Sequence, residues 1–234
     1  MPKIIDAEFG PVTVHRSPHA RSVRLRIDHL GNLSACLPPR VPLSAVKLLL
    51  GSSRGRLRKM IAEARASSRP LSHGQAIGSS HRLEVRQTAA ATPSCRVADL
   101  TVVIKLPAGW DVYGEPAQAF IRQGAKKALN KEARAHLPRR LAYLAKTGGF
   151  AYQQIRFNDA RSRWGSCSSK GSIGLNINLM SLPPHLIDYV LLHELCHTRH
   201  LHHGADFWKS VEVVCPDFKS LRRELKHYQP GYQP

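Results

Sequence analysis

The residues His193, Glu194 and His197 form an HExxH pattern, and this pattern constrains the fold more than any other feature of the sequence. Apolar residues recur through the same segment at helical spacing, which predicts a single helix with one buried face. These residues are Ile187, Val190, Leu191 and Leu195. Because four residues advance a helix by about 400°, the two imidazoles should project from the same face, one turn apart. Two imidazoles in this arrangement can bind one tetrahedral zinc ion.

Glu194 follows the first histidine directly and therefore points about 100° away from it around the helix. That angle is too large for the carboxylate to bind the same ion in the plane of the imidazoles. It suits a group that holds a water molecule activated by the zinc. We therefore expect Glu194 to act first as a general base and then as a proton shuttle.

A zinc ion held by two histidines and a water lacks one protein ligand. His203 lies six positions after His197, a spacing that lets the chain leave the helix and turn back toward the metal. We predict His203 as the third ligand. The open alternatives are His200, His202, Glu212 and Asp217.

Two further observations separate this motif from a chance match. Five of the 13 histidines fall within residues 193–203, and a segment of alternating apolar and small or polar residues, 172–180, precedes the helix. Such alternation predicts a strand. In zinc peptidases, a strand beside the metal often forms an edge along which an extended peptide can pair.

The rest of the sequence predicts an α+β fold with two regions. Residues 1–110 form a β-rich N-terminal region with one helix, which begins near Ser44, and residues 115–234 form the domain that carries the metal motif. The predicted strands of the first region lie near residues 12–14, 23–27, 33–37, 83–86 and 100–106. After residue 115 the apolar spacing changes from two to three or four, which favours helices.

Charge and cysteine content indicate the surroundings of the protein. The chain has 35 Lys and Arg against 16 Asp and Glu, a formal net charge of +19 that is spread over both halves. Such a surface makes nucleic acid or a nucleotide a candidate partner. The five cysteines show no paired spacing, which favours reduced thiols and a cytoplasmic location. No segment approaches the roughly 18 apolar residues of a spanning helix, so we expect no membrane partner.

Several segments together resemble the YgjP-like zinc metallopeptidase family, which is distantly similar to SprT-like proteins and other small zincins. They are residues 161–168 (RSRWGSCS), 171–176, 183–184, 187–190, 193–197, His203 and the pair Phe207 and Trp208. The resemblance implies a small zincin-like domain in 115–234 that contains the HExxH helix. It also implies that His193, His197 and His203 hold Zn²⁺ and that Glu194 is the catalytic acid and base.

Two arginines in the RSRWGSCS segment are candidates for contact with the substrate or the transition state. Arg161 or Arg163 would reach the cleft and stabilise an oxyanion or bind an anionic group, with Trp164 packed beneath. The alternative is that Trp164 belongs to the core and both arginines bind only backbone or helix ends.

The sequence therefore predicts a zinc-dependent metallohydrolase that acts on a peptide or protein substrate as a metallopeptidase. The second hypothesis is a metal-dependent hydrolase of nucleotides or other phosphoanhydrides, because arginines near a cleft also suit phosphate. The third is a zinc-containing protein that associates with nucleic acid, which would bind in a salt-sensitive manner.

Overall fold

The computed structural model describes residues 3–27, 31–67, 70–160 and 162–230. It confirms the α+β class, with sheets and helices in both of two compact units. The first unit is Met1–Arg69 and the second is Pro70–Pro234. In the described parts of the chain, no helix combines the length and the apolarity needed to cross a bilayer.

The first unit is a four-stranded sheet with one helix. Its elements are β1 (Lys3–Asp6), β2 (Gly10–Arg16), β3 (Arg24–Ile27), β4 (Leu33–Leu37) and α1 (Ser44–Ser67). The strand order is β1-β2-β4-β3, with β2 and β4 parallel and the other pairs antiparallel. Alternate residues of β4 are buried and meet apolar residues of α1 in one small core. The helix continues through Gly51, a residue type that weakens helices.

The second unit begins with a sheet that packs on a long helix. Its elements are β5 (Ala76–Ile77), β6 (His81–Thr88), β7 (Ser94–Ala98), β8 (Thr101–Pro107) and α2 (Glu115–Gly148). The order is β5-β6-β8-β7, and β6 runs parallel to β8. The helix ends at Gly149, whose φ of 66° is the left-handed conformation typical of a helix C-cap.

Because this sheet packs on α2, the boundary between the two units differs from the boundary predicted at residues 110–115. The contacts divide the chain between Arg69 and Pro70 instead. The physical reason lies at Gly124 of α2, where a Cβ atom would come within 2.5 Å of Ile104 Cδ1 and 3.0 Å of Cys95 Sγ. The backbone of α2 therefore contacts side chains of the sheet directly, and helix and sheet share one core. The strands at 76–107 consequently belong to the same unit as the metal motif.

The remaining elements surround that motif. They are β9 (Gln154–Asn158), β10 (Gly165–Cys167), β11 (Ser172–Asn176), a 3₁₀ turn (Ile177–Ser181), α3 (Pro184–Cys196), α4 (Ala205–Val214) and α5 (Phe218–Leu225). The three strands form a sheet in the order β10-β11-β9. β11 pairs antiparallel with β10 and parallel with β9.

The strand before the HExxH helix differs from its prediction in length and in place. It was expected over 172–180, but it ends at Asn176, whose side chain accepts the backbone N–H of Asn178 and turns the chain into the 3₁₀ segment. It was also expected to be an edge, but it is the central strand of its sheet. Among the described residues, the two edges of this sheet are β9 and β10, and β10 lies in the RSRWGSCS segment.

Candidate metal centre

Helix α3 carries the two histidines of the HExxH pattern. Pro183 is its N-cap and Pro184 its first residue, a position where proline fits because that N–H has no partner within the helix. Leu191 and Leu195 are fully buried and fix the face that turns to the core. The rings of His193 and His197 consequently lie one turn apart, with centroids 4.9 Å from each other.

His203 joins this pair from the loop between α3 and α4. Its Nε2 lies 3.1 Å from His193 Nε2 and 3.1 Å from His197 Nε2. These three residues form a group whose ligand atoms all lie within 4.8 Å of one another. Within the described ranges, no alternative ligand joins this group, since neither the neighbouring histidines nor the carboxylates of α4 and α5 are in it.

The protonation of the imidazoles suits a cation. Burial, together with the charges of His197, His203 and Arg222, lowers the pKa of His193 to about 3, and burial also lowers the pKa of His197. His197 Nδ1 lies 2.9 Å from the carbonyl oxygen of His200 and must donate to it, because that oxygen can only accept. Its Nε2 then carries a lone pair that faces the other two rings.

A cation bound by all three Nε2 atoms would give these converging nitrogens a common partner. Neutral imidazole nitrogen is a ligand that zinc commonly takes, and three histidines leave one of its four positions open. The residues present therefore fit a zinc ion.

Two aromatic residues of α4 hold the imidazoles in place. The ring of Phe207 is fully buried and stacks on His197, with centroids 4.4 Å apart and planes 27° apart. Trp208 stacks on His203 at 5.6 Å and 21°. In the sequence these two residues supported only the family resemblance. Their positions in the first turn of α4, directly after the loop that carries His203, could have indicated that this helix packs against the motif.

Glu194 is buried beside the histidines, with 5% of its surface exposed. Burial raises the pKa of Glu194 to about 8, and the positive charge of Arg163 opposes that rise. Its Oε2 atom is buried and has no hydrogen-bond partner among the described residues. The side chain lies against Gly165 of β10, where a Cβ atom would come within 2.5 Å of Glu194 Oε1. The structure thus holds an unpaired carboxyl oxygen next to the imidazole cluster.

A cleft of about 630 Å³ opens beside the cluster and exposes His193 and His203. Arg163, one of the two arginines considered for a contact with the substrate, lines this cleft. The side chain of Asn176 donates to the carbonyl oxygens of Ala160 and Arg163 and so fixes the backbone of this loop. Arg161 lies outside the described residues. Trp164 lines the cleft and packs against the main core, so it combines the two roles weighed for it.

Three polar residues of the cleft were not predicted as site residues from the sequence. Tyr189 precedes His193 by one helical turn, a spacing that places both on the same side of α3. Arg222 and Lys226 come from α5 and its C-cap. No local pattern links these two residues to the motif, since only the packing of α5 against α3 brings them to it.

The sequence matches a known protein family. The family model described as "YgjP-like, metallopeptidase domain" matches residues 21–228. No curated protein gives a significant match.

Two solved structures show a partial likeness. One is the metallopeptidase zymogen abylysin of Pyrococcus abyssi, with 25% identity, a TM-score of 0.35 and coverage of 38% of this chain and 92% of that one. The other is the metallopeptidase zymogen jannalysin of Methanocaldococcus jannaschii, with 15% identity, a TM-score of 0.35 and coverage of 38% and 93%. TM-scores this low do not establish a common fold.

Proposed function

This chain belongs to the YgjP-like metallopeptidase family, and from that premise we propose that it is a zinc-dependent peptidase whose metal is held by His193, His197 and His203. The observation that carries the proposal is the convergence of their three Nε2 atoms next to a buried, unpaired carboxyl oxygen of Glu194. When bound, Zn²⁺ lowers the pKa of water and polarises a carbonyl group.

Glu194 is the proton carrier in this proposal. Burial raises the pKa of Glu194, and groups that take up and release a proton are most effective when their pKa lies near the working pH. The carboxylate takes a proton from the attacking water and later donates it to the leaving amine. Gly165 supports this role, because its bare backbone leaves room for the carboxyl group between β10 and the histidines.

Arg163 is proposed to stabilise the negative charge that develops on the carbonyl oxygen. It lines the same cleft as His193 and His203, and its charge already acts on Glu194. β10 is proposed as the strand on which an extended peptide pairs, because it is one of the two edge strands of its sheet among the described residues and it lies against Glu194.

Substitution of Glu194 by Gln tests this mechanism. Gln has the same shape but cannot accept a proton, so Glu194→Gln should bind zinc as the parent does while its rate of cleaving an unfolded protein falls by about 10²- to 10⁴-fold. Zinc content and cleavage rate are measured on the same preparation. Cleavage by this variant at the parental rate would refute the role of Glu194.

A second assay, on the parent protein, decides between peptide and phosphoanhydride hydrolysis. The zinc-loaded parent is incubated with unfolded protein and, separately, with a panel of nucleoside triphosphates. We expect peptide cleavage and no phosphate or pyrophosphate release. The reverse outcome would support the nucleotide hydrolase and contradict the peptidase.

A further inference from the structure

We propose that Arg222 and Lys226 bind a carboxylate group of the substrate, so that the cleft selects peptides with an acidic side chain or a free C-terminus close to the scissile bond. This inference rests on the proposed peptidase function and adds a substrate class to it. Both residues line the cleft that exposes His193 and His203. They lie four positions apart, at the end of α5 and at its C-cap.

The permanently charged side chains that line the cleft all have the same sign. Its lining includes three permanent cations, since Arg163 accompanies the two residues of α5, and it includes no Asp or Glu. Within the part of the chain that the structure describes, none of the three cations forms an ion pair. The carboxylate of α5 itself is engaged elsewhere, because Glu224 lies 2.9 Å from His185 Nε2. A group of unpaired cations in a concave site favours an anionic ligand.

Arg222 is also held in position. Its guanidinium lies over the ring of Trp208, 4.7 Å from the centroid. Trp208 in turn stacks on Phe218 at 5.4 Å and 17°, and on His203 at 5.6 Å and 21°. A guanidinium stacked on an aromatic face keeps the N–H donors at its edge available, and these donors match a carboxylate in a bidentate manner. The stack therefore places a carboxylate-binding group next to a proposed zinc ligand.

The size of the cleft limits which carboxylates can reach these cations. A volume of about 630 Å³ is in the range of a small-ligand site, so a carboxylate bound by Arg222 belongs to a residue near the bond that is cleaved. An acidic side chain and the C-terminal carboxylate of a peptide offer the same chemistry. The experiment must separate these two sources.

An alternative role for Arg222 is to stabilise the C-terminus of α5 without binding any ligand, and a variant in the same helix can test this. Basic residues near a helix C-terminus interact favourably with the macrodipole, and Arg222 and Arg223 both lie in the last turn of α5. Only Arg222 lines the cleft. Arg223→Ala is therefore a matched control for Arg222→Ala, because it removes the same charge from the same turn of the helix.

The cleavage experiment uses a randomised octapeptide library in two forms, with a free C-terminal carboxylate and with a C-terminal amide. The zinc-loaded full chain cleaves both, and mass spectrometry locates the cleaved bonds. We expect either an enrichment of Asp and Glu at one position near the bond in both forms, or a preference for bonds near the C-terminus in the free-acid form alone. The first result identifies the side chain as the source, and the second identifies the C-terminus.

The variants decide whether α5 causes the preference. In Arg222→Ala we expect the preference to fall about tenfold, and in Lys226→Ala to fall as well, while Arg223→Ala keeps the parental pattern. Cleavage by the parent without any preference for a carboxylate would overturn the inference, as would an Arg222→Ala variant that keeps it. Both results leave the peptidase function intact.

A binding measurement remains informative even if nothing is cleaved. The probes are the peptides Ala-Ala-Glu and Ala-Ala-Gln, each as free acid and as amide, and Kd is measured on zinc-loaded Glu194→Gln. We expect at least one carboxylate to tighten binding, with a loss of about tenfold in a second variant that also carries Arg222→Ala. Equal affinity for all four peptides would contradict the inference. If the zinc-loaded parent cleaves no peptide while Glu194→Gln binds the carboxylate peptides selectively, the result would contradict the peptidase function and leave this inference standing.

Discussion

Gly165 lies so close to Glu194 that no side chain fits between them. A Cβ atom there would meet Glu194 at three atoms, 2.5 to 2.7 Å away. These atoms belong to a buried side chain next to the histidine cluster, so they cannot move into solvent. The glycine of the RSRWGSCS segment is thus explained by the position of the carboxyl group.

Substitution of this glycine should therefore disturb the proton carrier and spare the metal. We expect Gly165→Ala to bind one zinc per chain as the parent does, while kcat/KM falls by about 10²-fold, because misplacement of a catalytic group by about 1 Å costs that much. Metal analysis and a peptide-cleavage assay on one sample check this. Gly55→Ala is the control, since a Cβ atom at Gly55 meets nothing within 4 Å. Unchanged kcat/KM in Gly165→Ala would show that Glu194 is not constrained there.

For single residues, the sequence predicted which histidines come together but not every side chain that lines the cleft beside them. His193, His197 and His203 come together in the structure, because two lie on one helix face and the third follows a short loop. Arg222 was not predicted. It lies 19 residues beyond His203 on a separate helix, and nothing local in the sequence states that α5 packs beside α3.

Among the elements, the long helix α2 carries one buried carboxyl group that organises the neighbouring loop. Glu132 is 6% exposed and accepts the backbone N–H groups of Ser79, Ser80 and His81, and His81 Nδ1 lies 2.6 Å from its Oε1. Ser79 Oγ donates to the carbonyl oxygen of Met180 in the 3₁₀ turn that precedes α3. The loop between β5 and β6 is therefore tied to α2 on one side and to the metal-binding region on the other.

Replacement of this carboxyl group by an amide should destabilise the second unit. Both oxygens of Glu132 accept hydrogen bonds, so an amide NH₂ in either position would face a backbone donor. We expect Glu132→Gln to lower the free energy of unfolding by about 2 to 4 kcal/mol, measured by chemical denaturation. Glu115→Gln is the control, because Glu115 pairs with Arg122 at the surface, and its loss should cost less than about 1 kcal/mol. An equal effect of both substitutions would show that the buried network adds nothing.

The elements also show where sequence patterns stop. Alternation in residues 172–180 correctly predicted a strand, but the hydrogen bond between Asn176 and Asn178 ends it earlier, and alternation cannot tell a central strand from an edge. That distinction depends on β10, a strand of three residues that is too short for a pattern to reveal.

In the whole molecule, the proposed metal site and its supports lie within the second unit. The histidines, Glu194, the aromatic residues of α4 and the cations of α5 all belong to Pro70–Pro234, and this unit has its own core. The predicted boundary near 110–115 would have separated the sheet at 76–107 from them. Period-two patterns identify strands, but they do not say which helix a sheet packs against.

Residues 70–234 alone should consequently keep the metal site. We expect this fragment to bind one zinc per chain with the Kd of the full protein, because all proposed ligands and their packing partners are retained. Isothermal titration of the metal-free fragment and of the full chain checks this. A fragment that folds but binds zinc more than tenfold more weakly would show that the first unit contributes to the site.

The net charge of +19 indicates less about the ligand of this protein than the cations of the cleft do. Because it is spread along the chain, it does not single out a binding surface, and association with nucleic acid stays a prediction from composition. The cations of the cleft, in contrast, surround a particular cavity and point to a particular ligand chemistry.

The metal content of two histidine variants tests the proposed site most directly. The parent should hold one zinc per chain after dialysis. His203→Ala should lose it, because two imidazoles remain, whereas His202→Ala should retain it, since His202 lies outside the cluster although it is the adjacent residue. Full zinc occupancy in His203→Ala, or loss of zinc in a folded His202→Ala, would contradict a metal centre formed by His193, His197 and His203.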